Sequence, residues 1–136
     1  DTEAKTAAIY VDGKLQSTIE DYGTGEPINL GKQTRGKDFM FKIGHSYGEP
    51  EDMTRQLDGE ICEVRVWNVA RSQQEIFDNM YNIEDPTNTP GLQAYWKFNE
   101  GEGDIAKDYT GHGNDAKAYA KATWPAGIEV TQKNKE

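Results

Sequence analysis

Two stretches of strict two-residue alternation restrict what this chain can fold into. Between Gly59 and Asn68, the side chains of Cys62, Val64 and Val66 point one way, and those of Ile61, Glu63, Arg65 and Trp67 the other. Between Gly91 and Asn99, Leu92, Ala94, Trp96 and Phe98 share one side, while Gln93, Tyr95, Lys97 and Asn99 share the opposite one. Successive side chains of a strand alternate between its faces, so each run reads as a strand with one apolar side to bury. Polar residues on the second side predict an antiparallel sheet with that face towards water. Within this pattern Cys62, the single cysteine, is expected to be a small buried hydrophobe.

Further strands follow from the same rule. Ala7, Ile9 and Val11 alternate with Thr6, Ala8 and Tyr10; after Asp12-Gly13, Leu15, Ser17 and Ile19 alternate with Gln16, Thr18 and Glu20. Asp-Gly between alternating runs marks a hairpin, because a type I′ turn needs positive φ at both central residues. Short strands are expected near 26–30, 39–45, 115–119 and 127–130. One helix is expected at about 73–82: Ser72 and Glu75 form a capping box, Ile76/Met80 and Phe77/Tyr81 form an apolar stripe, and Pro86 and Pro90 follow it. One helix among seven or eight strands predicts an all-β, antiparallel two-sheet sandwich. At 136 residues the length suits one domain. It is expected to span 1–130, with a polar tail at 131–136.

Charge narrows the partners. Fifteen Lys and Arg against 24 Asp and Glu give a net charge of −9, and the basic residues are dispersed, which disfavours nucleic acid. No apolar run approaches the roughly 18 to 20 residues that a membrane-crossing helix needs. One cysteine permits neither an intrachain disulfide nor a thiolate metal cluster.

The block Leu57-Asp58-Gly59-Glu60-Ile61-Cys62-Glu63-Val64-Arg65-Val66-Trp67-Asn68, followed by Ala70-Arg71-Ser72 and Glu75-Ile76, resembles a signature of the laminin-G-like and pentraxin-like members of the concanavalin-A-like lectin/glucanase superfamily. The hairpin Ile9-Tyr10-Val11-Asp12-Gly13-Lys14-Leu15 matches their "YVDGK" segment. The stretch Gly91–Gly101 and the run Asp108-Tyr109-Thr110-Gly111-His112-Gly113-Asn114 resemble a further element of such modules in bacterial surface proteins. The resemblance runs from about Lys5 to Trp124 and implies a jelly-roll sandwich. In those families the hairpin normally follows several more strands, whereas this chain opens at Asp1-Thr2-Glu3. The chain is therefore expected to be the C-terminal segment of a larger domain, completed by its missing N-terminal strands or by self-association through an exposed strand edge. The alternative is a complete, minimal sandwich.

Candidate chemistry follows from residue type and parity. Glycoside hydrolysis needs two carboxylates on one side of a cleft. Glu60 shares a face with Cys62 and Val64 while Glu63 projects oppositely, and Asp58 falls where a turn is equally expected. Tyr10, Trp67 and Tyr95 project away from the strongest apolar registers and are candidate ligand-binding residues, since flat rings stack on the C–H faces of sugars. The same positions suit a half-buried layer beneath the helix. Asp108, Asp104 and Asn114, in a Gly-punctuated stretch rich in oxygen donors, are candidate ligands for Ca2+; Asx-turns explain the same residues. The resemblance implies a non-catalytic module of an extracellular or cell-surface protein, bacterial in type, that recognises a glycan or a surface protein. A structural sandwich without ligand and a glycoside hydrolase fragment are the alternatives.

Overall fold

A computed structural model describes residues 1–26, 41–45, 57–118 and 123–124. The chain divides into two compact units, Asp1–Glu60 and Ile61–Glu136. Expected strands at 27–30, 39–40 and 127–130 and the tail at 131–136 lie outside the described residues.

In the first unit, β1 (Ala7–Val11) and β2 (Lys14–Ile19) pair antiparallel. Asp12 and Gly13 have φ of 51° and 71°, the two positive values that the type I′ turn requires. The register departs from simple alternation: Ile9 pairs with Ser17 but Tyr10 pairs with Leu15, so Gln16 is an extra residue. Such a bulge shifts parity. Ile19 and Ser17 lie on the side of Ala7 and Ile9, whereas Leu15 moves to the side of Tyr10. The hairpin's root is closed by Asp1, whose carbonyl accepts from the Thr6 amide and whose amine donates to the Thr6 carbonyl. Residues 41–44 are not extended into a strand; His45 occupies a single bridge, and Leu57 N–H donates to Gly44 O.

In the second unit, β3 (Val64–Trp67) pairs antiparallel with β4 (Leu92–Trp96). Both are shorter than their alternating runs. Glu63 and Phe98 have φ of 56° and 57°, left-handed values that end the extended ladder. Cys62, beyond that break, is exposed rather than buried. Gly91 starts β4 at φ +82°, where an added Cβ would stand 2.6 Å from Val69 Cγ2, so only glycine fits. A second bulge lies here: Val66 pairs with Ala94 but Trp67 pairs with Leu92, leaving Gln93 unpaired. Leu92 therefore joins the side of Trp67 and Tyr95.

The expectation of a half-solvated β4 is corrected on this point. Leu92, Ala94, Tyr95 and Trp96 are all at most 5% exposed. Ile83, Leu92 and Tyr95 form the core on one side, with Trp67 and Tyr109 packed against it. The helix α1 (Gln73–Asp78) is shorter than expected but carries the predicted capping box: Ser72 Oγ accepts from Glu75 N–H, and Glu75 Oε2 accepts from Ser72 N–H. Asn79 ends it by donating its own amide N–H and side chain to Glu75 O. Two short strands, β5 (Ile105–Ala106) and β6 (Ala116–Lys117), complete the unit as an antiparallel pair. The described strands thus make three two-stranded antiparallel sheets in an all-β chain with one short helix.

Candidate functional site

The face of β3 and β4 that bears Arg65, Trp67 and Tyr95 collects the groups with binding chemistry. Arg65 pairs directly across from Tyr95, and its guanidinium carbon stands 4.9 Å from that ring's centre. One guanidinium nitrogen donates to the carbonyls of Asn79 and Met80, at 2.6 and 3.3 Å, satisfying carbonyls just past the end of α1. The other donates to Glu63, which also accepts the Tyr95 hydroxyl. Burial first, and then the hydrogen bond to the Glu63 carboxylate, push the Tyr95 hydroxyl's pKa above its ordinary value.

Tyr95 is 0% exposed, so it offers no ring face to a ligand. The expected platform loses it because Ile83, in the segment after α1, together with Trp67 and Tyr109 packs over this side of β4. Tyr10 belongs to the first unit, half-exposed on its hairpin. Trp67 is the candidate that borders open space. A groove of about 180 Å³ lies between β3 and α1, lined by Arg65, Trp67, Arg71, Ile76, Asn79 and Met80 together with Glu75. Trp67, Ile76 and Met80 are its apolar lining residues. Arg71, which precedes the N-cap Ser72, stands 4.2 Å from the centre of the Trp67 ring and ion-pairs with Glu75, four residues on in the first turn of α1, at 3.2 Å. Glu75's carboxyl sits below its ordinary value, chiefly through the Ser72 amide and hydroxyl, with Arg71 adding to the effect.

The oxygen-rich loop is organised around Asp108, which is 3% exposed. Its Oδ1 accepts from the Tyr95 amide, the Thr110 amide and the Thr110 hydroxyl, and its Oδ2 from the Asn114 amide. Burial alone raises the Asp108 pKa, but the donors from Thr110, Asn114 and Tyr95 outweigh it and hold the carboxyl below its ordinary value. Asn114 donates its side chain to Gln93 O and accepts Trp96 Nε1–H on its carbonyl. His112 Nδ1 reaches the same Gln93 oxygen, freed by the bulge. Asp104 ion-pairs with Lys117 at 3.8 Å on the surface. These residues do not fit a calcium ion: Asp108 spends both oxygens on four protein donors, and among the described residues no three His, Cys, Asp or Glu side chains converge. The loop is an Asx-type staple that fastens residues 108–115 to β4.

Residues 1–77 match the concanavalin A-like lectin/glucanases superfamily. The chain belongs to that superfamily. Among solved structures, this superfamily module is similar to a candidate carbohydrate binding protein from Bacteroides ovatus, with 28% identity and a TM-score of 0.62. The similarity covers 93% of this chain and 36% of the Bacteroides chain, so the module spans little more than a third of that protein's length. No curated protein matches it.

Arg71, Asn79 and Tyr109 are the site residues that parity alone overlooks. For the first, the available signal is its place just before the capping box, four residues from Glu75. Tyr109 follows the staple residue Asp108 directly, and Asn79 is placed by where α1 stops.

Proposed function

We propose that this chain is a non-catalytic, laminin-G-like glycan-recognition module of a larger extracellular or bacterial surface protein, with the Trp67 groove as its sugar site. The observation that carries this reading is the groove's composition. A pyranose has an apolar C–H face and a rim of hydroxyls; the groove is lined by the apolar Trp67, Ile76 and Met80 and by the polar Arg65, Arg71, Glu75 and Asn79. Ligand sites of this mixed kind are the general pattern. The Bacteroides relative's description as a candidate carbohydrate binding protein supports the ligand class. Glu75, the carboxylate that lines the groove, is engaged by Ser72 and Arg71, and Glu63, beyond Arg65, is engaged by Arg65 and Tyr95, which favours recognition over acid–base chemistry.

The test is a glycan array followed by calorimetry with the best neutral oligosaccharide. Arg71→Ala is expected to weaken binding about tenfold, the loss of one hydrogen bond from a charged donor, with an unchanged circular dichroism spectrum. An array on which no glycan is retained, or an Arg71→Ala variant that binds like the parent, overturns the reading.

A further inference from the structure

Two lysines of the second unit stand side by side, and neither takes part in an ion pair among the described residues. The antiparallel bridge between Trp96 and Asp108 sets Lys97 beside Lys107 and Tyr95 beside Tyr109. In that register the Tyr109 amide donates to Tyr95 O at 2.9 Å. Both ammonium groups gather at one ring: Lys97 Nζ is 5.1 Å and Lys107 Nζ 5.5 Å from the centre of Tyr109. Like charges directly opposite each other in a sheet repel. In a chain with 24 acidic residues, an intervening carboxylate would be the ordinary remedy.

No acid of the described residues forms an ion pair with either lysine. The ion pairs given by the described residues are Arg65–Glu63, Arg71–Glu75 and Lys117–Asp104, and neither lysine takes part. Glu63 turns to Arg65 and Tyr95. Glu100 Oε1 accepts the Lys107 amide at 2.9 Å, while its Oε2 is buried without a hydrogen-bond partner; burial first, and then this carboxylate, raise the pKa of the Tyr109 hydroxyl. The Tyr109 ring is held by its neighbours: it is tilted against Tyr95 at 6.1 Å, and its hydroxyl donates to Asn99 at 3.1 Å. Lys97 Nζ is also steadied by Asn82 Oδ1 at 3.5 Å. A half-buried aromatic ring, two ammonium groups and two exposed amide side chains thus lie close together.

We propose that Tyr109, Lys97 and Lys107 form a second subsite, for a sugar unit carrying a negatively charged substituent, either a carboxylate or a sulfate ester. The proposal rests on the glycan-recognition reading and extends it to a separate place on the same unit. An anion held by both ammonium groups removes their mutual repulsion as well as pairing with each. Asn82 and Asn99 supply hydrogen bonds to ring hydroxyls.

The experiment is calorimetry on the full chain with trigalacturonate, its fully methyl-esterified form, a galactose trisaccharide sulfated at O6 and its unsulfated parent. At least one charged ligand is expected to bind about tenfold more tightly than its neutral counterpart, and the preference should shrink as salt rises. The Lys97→Gln/Lys107→Gln double variant should lose that preference, and Lys97→Arg/Lys107→Arg should keep it, with thermal melts showing all variants folded. The two charged arms distinguish carboxylate from sulfate. Equal binding of charged and neutral forms, or a preference that survives in the double Gln variant, overturns the subsite. If neutral sugars bind through Arg71 and no charge preference appears, the groove stands and the subsite falls. If lysine-dependent binding persists while Arg71→Ala changes nothing, the subsite stands and the groove assignment falls. If no sugar binds, both fall.

Discussion

Replacing Asp108 by Asn tests whether one carboxylate fastens the 108–115 loop to β4. The substitution keeps size and shape but exchanges one acceptor oxygen for an NH2 group. If the remaining oxygen faces Tyr95 and Thr110, whose three donors lie at 2.8 to 3.2 Å, the new NH2 confronts the Asn114 amide 3.0 Å away. The flipped rotamer sets the NH2 against three donors and is worse. The better arrangement forfeits one charge-assisted bond, about 1.5 to 3 kcal/mol, and weakens three more by removing the charge. A net loss of about 3 kcal/mol follows, or a Tm lower by roughly 10 °C for a chain of this length. Urea unfolding followed by tryptophan fluorescence is the assay; Trp96 reports directly, since its Nε1–H donates to Asn114 O. The pH dependence has a definite sign. Asp108's folded pKa lies below its ordinary 3.8. Its stabilisation is therefore complete above about pH 4 and is lost as pH falls through the folded value. The Asn variant does not titrate there, so the gap between the two proteins should be widest at neutral pH and close towards pH 2. A gap under about 0.5 kcal/mol at pH 7, which is the level of an ordinary surface substitution, refutes the reasoning. So does a gap that stays constant down to pH 2.

Two further outcomes follow from the geometry. Gly91→Ala should cost about 2 to 3 kcal/mol in urea unfolding, because the residue sits at φ +82° and its Cβ would meet Val69 Cγ2 at 2.6 Å; a loss below about 1 kcal/mol would mean that Val69 moves aside freely. Millimolar Ca2+ after EDTA treatment should leave Tm unchanged in differential scanning fluorimetry, since four protein donors already hold Asp108 and among the described residues no three His, Cys, Asp or Glu side chains converge beside it; a rise of several degrees would point to a cation site.

Sequence alternation located the hairpin, β3, β4 and the capped start of α1, because each depends on local chemistry: a turn that needs positive φ, a period of two, a Ser–Glu box. It failed at Leu15 and Leu92 for one shared reason. A bulge at Gln16 and another at Gln93 insert a single residue, and every side chain beyond such a point changes face. Neither glutamine carries a local signal that marks it as a bulge. Leu92 therefore joins Tyr95 and Ile83 in the core, and Tyr95, expected on a wet face, is enclosed. The exposure of Cys62 has a different origin, the left-handed backbone at Glu63, which periodicity does not register. The groove was only partly legible. Trp67 could be placed on a face, but the guanidinium beside it depends on how α1 lies against β3.

Glu63 joins the two proposed sites through a single backbone torsion. The register Val64↔Trp96 sets Glu63 beside Lys97, and its amide reaches Lys97 O at 3.4 Å. An acid and a lysine so placed would ordinarily pair across the strands. With φ at 56°, the Glu63 carboxylate instead serves Arg65 and Tyr95, and Lys97 is left to face Lys107. Glu63→Gln removes the only carboxylate that pairs with Arg65 among the described residues, in a setting where the two side chains are 17% and 12% exposed. Leaving that guanidinium without its counter-charge should cost about 2 to 3 kcal/mol, somewhat less than for a fully buried pair. The urea midpoint should fall with an unchanged slope. A loss below about 1 kcal/mol would show that the Asn79 and Met80 carbonyls hold Arg65 by themselves, and the carboxylate's position would then owe nothing to the guanidinium.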